Sequence, residues 1–592
     1  MQHLKSLNKY FWKYRLHFFG GIVFVILSNL FAVAQPTVIR RAFDLVAANL
    51  KSAQFGSDFG SQILIFALIV LGLAMLRGFF LFLMRQTIIV MSRRVEYDQK
   101  NELYSYYQKL EPAFYKSTST GELMARLSED VGRVRMYVGP GIMYTTNLVI
   151  IFILIAFNMF RVSPSLACCA LAPLPLLGII IYFVNSVIQK KGEQIQQQVA
   201  HLTSYAQESY SGIRIIKSFG REHHMRQFFG NENDLYRARS LSLAKIEAVF
   251  FPAIIFLVGI STILTIYIGG QQVIAGTITA GTIAEFVIYI NMLTWPIASV
   301  GSVTALIQRA AASQKRINEM LQTTAVDFEK GIAIHSFQKI EFKNVALTYP
   351  NTGITALQNL NFSISRGEKI AIIGRTGTGK TSITQLLTRL IEPSGGEIVV
   401  DGNPFALISA KSIRSLIGYA PQDVFLFSDS VKSNIAFGAP DAAEESIAAA
   451  AGMADVEKDI LQLPEFYNTV IGERGVTLSG GQKQRISLAR ALIRQPQLLI
   501  LDDVLSAVDA HTATRILRNL KESLNDSNLL VVTHRIFPEF YFDKILVLEN
   551  GSVAESGTHE SLLAQGKIYA SLWREQQEKG EIHSAVNNSL AS

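Results

Sequence analysis

Six apolar runs, each near 20 residues, occupy the first half of the chain: 17–38, 61–84, 137–160, 165–188, 247–270 and 280–300. A helix needs about 20 mostly apolar residues to cross a bilayer. One such run could be a buried helix of a soluble protein. Six in succession predict a membrane domain of six helices. The composition agrees: charged residues make up 17% of the 592, against roughly a quarter in soluble proteins. A chain of this length is also expected to hold at least two domains.

The loops set the expected orientation. Lys5, Lys9, Lys13 and Arg15 precede the first run, and both long loops, between runs two and three and between runs four and five, are rich in Lys and Arg. The loop between runs five and six, GGQQVIAGTITAGT, carries no charge. This bias puts both termini, the long loops and the second half of the chain in the cytoplasm. Arg40, Arg41 and Lys51 on the first external loop run against it. Arg77 and Arg85, near the end of the second run, read as the only ionisable side chains deep in a span. The start, MQHLKSLNKYFWKYRLHFFGGIVFV, lacks a small-residue cleavage site and reads as a retained first span rather than a cleaved signal. The net charge of +8 suits a basic cytoplasmic face, and no nucleic-acid motif accompanies it, so no nucleic-acid partner is expected. Cys168 and Cys169 are adjacent and have no others to pair with, which leaves no disulfide framework and no CxxC metal site.

The two long loops lack apolar windows of spanning length, so each is expected to extend its flanking helices beyond the bilayer. In FYKSTSTGELMARLSEDV (114–131), Ser119 with Glu122 forms a capping-box pattern opening a helix. In QESYSGIRIIKSFGREHH (207–224), Gly212 punctuates a helical pattern. Both segments are candidates for carrying motion between domains. Pro36, Pro173, Pro175 and Pro296 interrupt spans, where proline is tolerated and often only kinks. Phe250, Phe251, Phe256, Asn291, Thr294 and Trp295 suit either a cavity for amphipathic compounds or plain helix packing.

The second half changes character. Residues 338–577 read as a soluble α/β domain, after a membrane domain over 1–305 and a linker over 306–337; the tail 578–592 is expected to be disordered. The apolar run KIAIIG (369–374) leads into GRTGTGKTS (374–382), which fits the P-loop pattern after a strand. Gly374, Gly377 and Gly379 let backbone N–H groups wrap a phosphate, and the following helix adds its positive end. Arg375, Thr376, Thr378 and Ser382 complete the loop; Lys380 is placed to reach the β- and γ-phosphates and Thr381 to ligate Mg²⁺. The run LLILD (498–502) brings a second Mg²⁺ contact through Asp502. ATP and Mg²⁺ are therefore the expected ligands.

LSGGQKQRISLARAL (478–492) resembles the signature motif of ABC ATPases, and neighbouring segments agree in order. The resemblance implies that Tyr349 in VALTYP stacks on adenine, that Gln422 reaches the metal and the attacking water, that Ser506–Asp509 form the D-loop, and that His534 is the switch histidine. Glu473 and Arg474 in GERG are similar to the segment that precedes the signature in exporters. Six spans followed by one ATPase domain resemble an ABC exporter half-transporter: a membrane all-α six-helix domain, then a P-loop α/β ATPase. In that family Ser479, Gly480, Gly481 and Gln482 serve the ATP of a second ATPase domain, which implies a dimer.

The family usually has Asp-Glu where this chain has Asp502–Asp503. The shorter Asp503 implies a catalytically weak site, as in one subunit of heterodimeric ABC exporters. The expected function is a subunit of an exporter of hydrophobic or amphipathic drugs or lipids in a bacterial plasma membrane, paired with a second half-transporter. A homodimeric lipid or multidrug exporter, and a regulatory ATP-gated subunit with little hydrolysis, remain open alternatives.

Overall fold

The computed structural model describes residues 2–52, 59–325, 327–349, 352–472, 478–524 and 526–578. Glu473, Arg474 and nearly all of the tail therefore lie outside the described residues, as does the side chain of Phe251. The chain divides into two compact units, Met1–Gln108 with Thr120–Thr323 and Lys109–Ser119 with Thr324–Ser592.

Among the described residues, the first unit contains six helices long and apolar enough to cross a membrane: α1 (Arg15–Leu50), α2 (Phe59–Tyr107), α3 (Thr120–Val162), α4 (Pro164–Ser211), α5 (Glu222–Ile274) and α6 (Ala280–Met320). Helices are the natural answer to apolar runs in lipid, because every backbone group is satisfied within the segment. Each helix outlasts its apolar run. The 53 residues of α5 span roughly 80 Å at 1.5 Å per residue, far more than a hydrocarbon core of about 30 Å. Helix extension accounts for the long loops, with π turns at Arg85–Ile89 in α2 and at Arg126–Asp130 and Tyr137–Gly141 in α3. Pro36 and Pro296 sit inside continuous helix, whereas Pro173 opens a helical stretch. Gly212 caps the end of α4. Ile155, Met159, Leu166, Phe286, Tyr289 and Leu293 form the centre of this unit's apolar core.

One polar cluster corrects the sequence reading. Glu285 in α6 is fully buried, so Arg77 and Arg85 are not the only ionisable groups within the spans. Its carboxylate accepts from Arg40 (2.8 Å), Thr37 (2.8 Å) and the Tyr289 hydroxyl (3.1 Å). Arg40 is thus neutralised by a partner in another helix, which explains a charge that ran against the loop bias. One turn further along α1, Asp44 accepts from the Gly281 N–H (3.0 Å) and the Thr279 hydroxyl (2.9 Å), capping the start of α6.

The second unit is built on two sheets. The strands are β1 (Lys339–Thr348), β2 (Thr355–Ser365), β3 (Lys369–Ile373), β4 (Gly395–Val400), β5 (Asn403–Pro404), β6 (Ile417–Ala420), β7 (Leu498–Asp502), β8 (Asn528–Thr533), β9 (Lys544–Glu549) and β10 (Ser552–Gly557). The smaller sheet is antiparallel, in the order β2-β1-β4-β5; the larger runs β10-β9-β3-β8-β7-β6 and is parallel except at the β10 edge. β7 and β8 are buried at every position, as expected of parallel strands covered on both faces. Register does the rest: Ile373 pairs with Thr533, Asp502 with Val532 and Ala420 with Leu501. Gly374, Gln422, Asp503 and His534 therefore all leave the large sheet at the carboxyl ends of its strands, where open α/β sheets place their ligand crevice.

Candidate nucleotide site

A cleft of about 310 Å³ opens at that edge. It is lined by Tyr349, Thr376, Gly377, Gly379, Lys380, Thr381, Ser382, Gln422, Asp502, Asp503 and His534. Residues far apart in sequence are thus brought together as expected. Gly374, Arg375 and Thr378 belong to the same loop but not to the lining; the Thr378 hydroxyl donates to the Arg375 carbonyl at 2.9 Å.

The loop's shape depends on two glycines. Gly377 and Gly379 hold φ of 87° and 94°, a region that side chains disfavour, and a Cβ on Gly379 would run into the Ala356 carbonyl. The chain then turns directly into α7 (Lys380–Leu387). The Lys380 ammonium donates to the carbonyls of Gly374 and Arg375, both at 2.7 Å, and burial pushes its pKa below the ordinary lysine range. A cation so desolvated gains much from an anion placed in the loop.

Asp502 is held from three sides. Its carboxylate accepts from Thr381 (3.2 Å), Thr384 (2.8 Å) and the Tyr419 hydroxyl (3.3 Å). Burial pushes its pKa above the ordinary carboxylate range, against the pull of those hydrogen bonds. A buried carboxylate beside a hydroxyl, both hard oxygen donors, fits Mg²⁺, and Gln422 adds a further oxygen on the same cleft.

Asp503 turns the other way. Its backbone is left-handed, with φ of 54°, a conformation that Asp tolerates better than most residues. Its carboxylate accepts from the Ser506 hydroxyl and lies 3.0 Å from His534 Nδ1. Asp503, His534 and Ser506 form one hydrogen-bonded group beside the cleft.

Tyr349 is fixed by its hydroxyl, 3.0 Å from Ser382 Oγ and 3.4 Å from Gln385 Oε1. Its ring packs against the domain core. The Lys116 ammonium lies 5.5 Å from the ring centroid, supplied by the short helix Pro112–Ser117, which belongs to this unit.

The signature residues stand apart. Ser479, Gly480, Gly481 and Gln482 do not line the cleft. Ser479 caps α8 (Gly480–Leu492): its hydroxyl accepts from the Gln482 N–H, and its own N–H donates to Gln482 Oε1. Gln482 and Arg485 are anchored on Asp459, at 3.0 and 2.8 Å. The capping box uses the Ser479 and Gln482 N–H groups, and the start of α8 lies outside the cleft.

The sequence reading missed Thr384, Tyr419 and Lys116. Thr384 lies three residues beyond Thr381 on one helix face, a spacing that could have revealed it. Tyr419 becomes visible only once β6 is known to pair with β7.

Comparison with known proteins agrees with this architecture. Residues 18–297 match the family described as ABC transporter transmembrane region, and residues 357–506 match the family described as ABC transporter. A probable multidrug resistance ABC transporter ATP-binding/permease protein, YheI of Bacillus subtilis, is 34% identical and covers 98% of each chain. An uncharacterized ABC transporter ATP-binding protein of the same organism, YknU, is 34% identical over 97% of each. An ATP-dependent lipid A-core flippase of Syntrophus aciditrophicus is 33% identical over 83% of this chain and 82% of that protein. The fold is shared with a bacterial Atm1-family ABC exporter solved with ATP bound: TM-score 0.79 and 23% identity, over 95% of this chain and 98% of the other.

Proposed function

The chain belongs to the ABC transporter family, and on that premise we propose that it is one half of a heterodimeric exporter whose own ATP site is catalytically weak. Transport of hydrophobic or amphipathic compounds, drug or lipid, suits the named relatives and the aromatic side chains of α5 and α6. A bacterial plasma membrane with the ATPase domain on the cytoplasmic side suits the loop charges.

The observation that carries this reading is Asp503, whose short carboxylate is spent on Ser506 and His534. In this reading Tyr349 stacks on adenine. Gly374, Arg375, Thr376, Gly377, Thr378 and Gly379 wrap the phosphates, and Lys380 and Ser382 hold them. Thr381, Asp502 and Gln422 hold Mg²⁺, which when bound draws charge from the phosphate oxygens. Asp503 accepts the proton of the attacking water, with His534 and Gln422 orienting it. One methylene short, Asp503 does this poorly. The capped helix at Ser479–Gln482, outside the cleft of its own chain, is reserved for ATP held by the partner. A partner with its own glutamate then supplies the productive site, completed by this chain's intact signature.

Mixing experiments test this. The purified chain alone in lipid should bind ATP yet hydrolyse it slowly, and a second half-transporter should restore turnover. Brisk hydrolysis by the chain alone would favour a homodimeric exporter. That second reading draws support from His534, which remains within hydrogen-bonding reach of Asp503.

A further inference from the structure

Two neighbouring side chains of the helical segment 568–578 reach Arg375 of the phosphate loop and the backbone just past His534. Gln576 grips a single peptide unit twice: the Ile536 N–H donates to its Oε1 at 2.8 Å, and its Nε2 donates to the Ile536 carbonyl at 2.9 Å. Glu575 pairs with Arg375 of the phosphate loop at 2.6 Å. The two contacts differ in weight. The Glu575–Arg375 pair is 46% and 70% exposed, so water and salt screen it. Ile536 is 4% exposed, so its backbone groups have little water to exchange into and depend on Gln576.

Ile536 lies two residues past His534. Ile536 packs its side chain in the domain core, and among the described residues few other hydrogen bonds fix this stretch. The Arg535 N–H donates to Thr533 Oγ1 at 3.0 Å, and the Arg535 guanidinium reaches the carbonyls of Leu505 and Val508 at 3.4 and 3.2 Å. The helical segment itself docks through Ile568, Leu572 and Trp573, which pack on the domain core. Its attachment therefore does not need Gln576.

We propose that Gln576 is a positioning residue for hydrolysis, holding the backbone of Ile536 so that His534 stays aimed at Asp503 and the phosphate site. Arg535 ties the same stretch to the D-loop, so two side chains, one from each flank, set the switch. The inference rests on the reading of the cleft as an ATP site. Its effect falls on turnover, because Gln576 does not line the cleft.

The test uses the full chain in lipid nanodiscs, wild type and Asp503→Glu, each with Gln576→Ala or Gln576→Glu. Gln576→Glu keeps the acceptor for the Ile536 N–H and loses the donor. Hydrogen exchange of the peptide containing Ile536 should quicken with alanine and less with glutamate. Turnover at saturating ATP should fall about 3- to 30-fold with alanine, the size expected of a sub-ångström to ångström displacement. The KM for ATP and the binding of a fluorescent ATP analogue should stay within about twofold, as expected when only transition-state contacts suffer. Unchanged exchange at Ile536 would overturn the proposal. So would a loss of thermal stability accompanied by a raised KM, which would make Gln576 a plain structural brace. If the wild type failed to bind the ATP analogue at all, the nucleotide-site reading would fall first, and the positioning role with it.

Discussion

Replacing Asp503 by glutamate is the most direct probe of the site. The added methylene carries the carboxylate forward by at most roughly 1.5 Å. A misplacement of 1 Å can cost on the order of 100-fold in rate, equivalent to about 2.7 kcal/mol. Asp503 sits at φ of 54°, and a residue less tolerant of the left-handed region raises the folded state by about 1 kcal/mol. That strain is common to the ground and transition states, so it lowers stability and leaves the expected gain in turnover at up to roughly 100-fold. Single-turnover hydrolysis of radiolabelled ATP by the purified chain in lipid reads it directly. Nearly silent wild type and an active glutamate variant are the expected pair. Fast wild-type turnover, changed less than about twofold by glutamate, would refute the reasoning from carboxylate reach.

The other consequences can be checked separately. Lys380→Ala should abolish photolabelling by an ATP analogue, and undiminished labelling would remove the P-loop assignment. The Asp502 pKa is raised on folding, so its uncharged form is favoured: its contribution to stability is present at low pH and lost as pH rises through the raised value. Protons and Mg²⁺ would therefore compete for it, and Mg²⁺-dependent analogue binding should weaken as pH falls toward the raised value; an affinity that does not fall on acidification would contradict this. In the first unit, Glu285→Ala strands Arg40, whose side chain is only 22% exposed, and should cost about 3–5 kcal/mol. The double change Arg40→Leu with Glu285→Leu should cost much less. Thermal unfolding in detergent separates the two, and equal losses would show that the ion pair itself is not what matters.

Much of this molecule is legible in its sequence because two of its signals are local. An apolar run of spanning length declares a membrane helix wherever it occurs, and all six were visible. GRTGTGKTS declares a phosphate loop because its glycines and lysine must be adjacent in the chain. What escaped was non-local. Glu285 was passed over in its apolar run, and its partner Arg40 lies 245 residues earlier. Tyr419 holds Asp502 only because β6 pairs with β7. The capping box of Ser479 and Gln482 was present as Ser-x-x-Gln, but the stronger family motif overlies it. Asp503 stands out in the sequence against the usual Asp-Glu, while its left-handed backbone and its hold on Ser506 needed coordinates.

The placement of residues 109–119 bears on how such proteins can be recombined. The chain passes between its two units at 108–109, 119–120 and 323–324, so no single cut separates them. An ATPase piece expressed from 324 onward would lack Lys116 and leave the Tyr349 ring without its cation. A chimera joined at 324 would set one parent's lysine over the other parent's tyrosine. A faithful exchange of parts between relatives needs two inserts, and the smaller one is the 11-residue segment from Lys109 to Ser119.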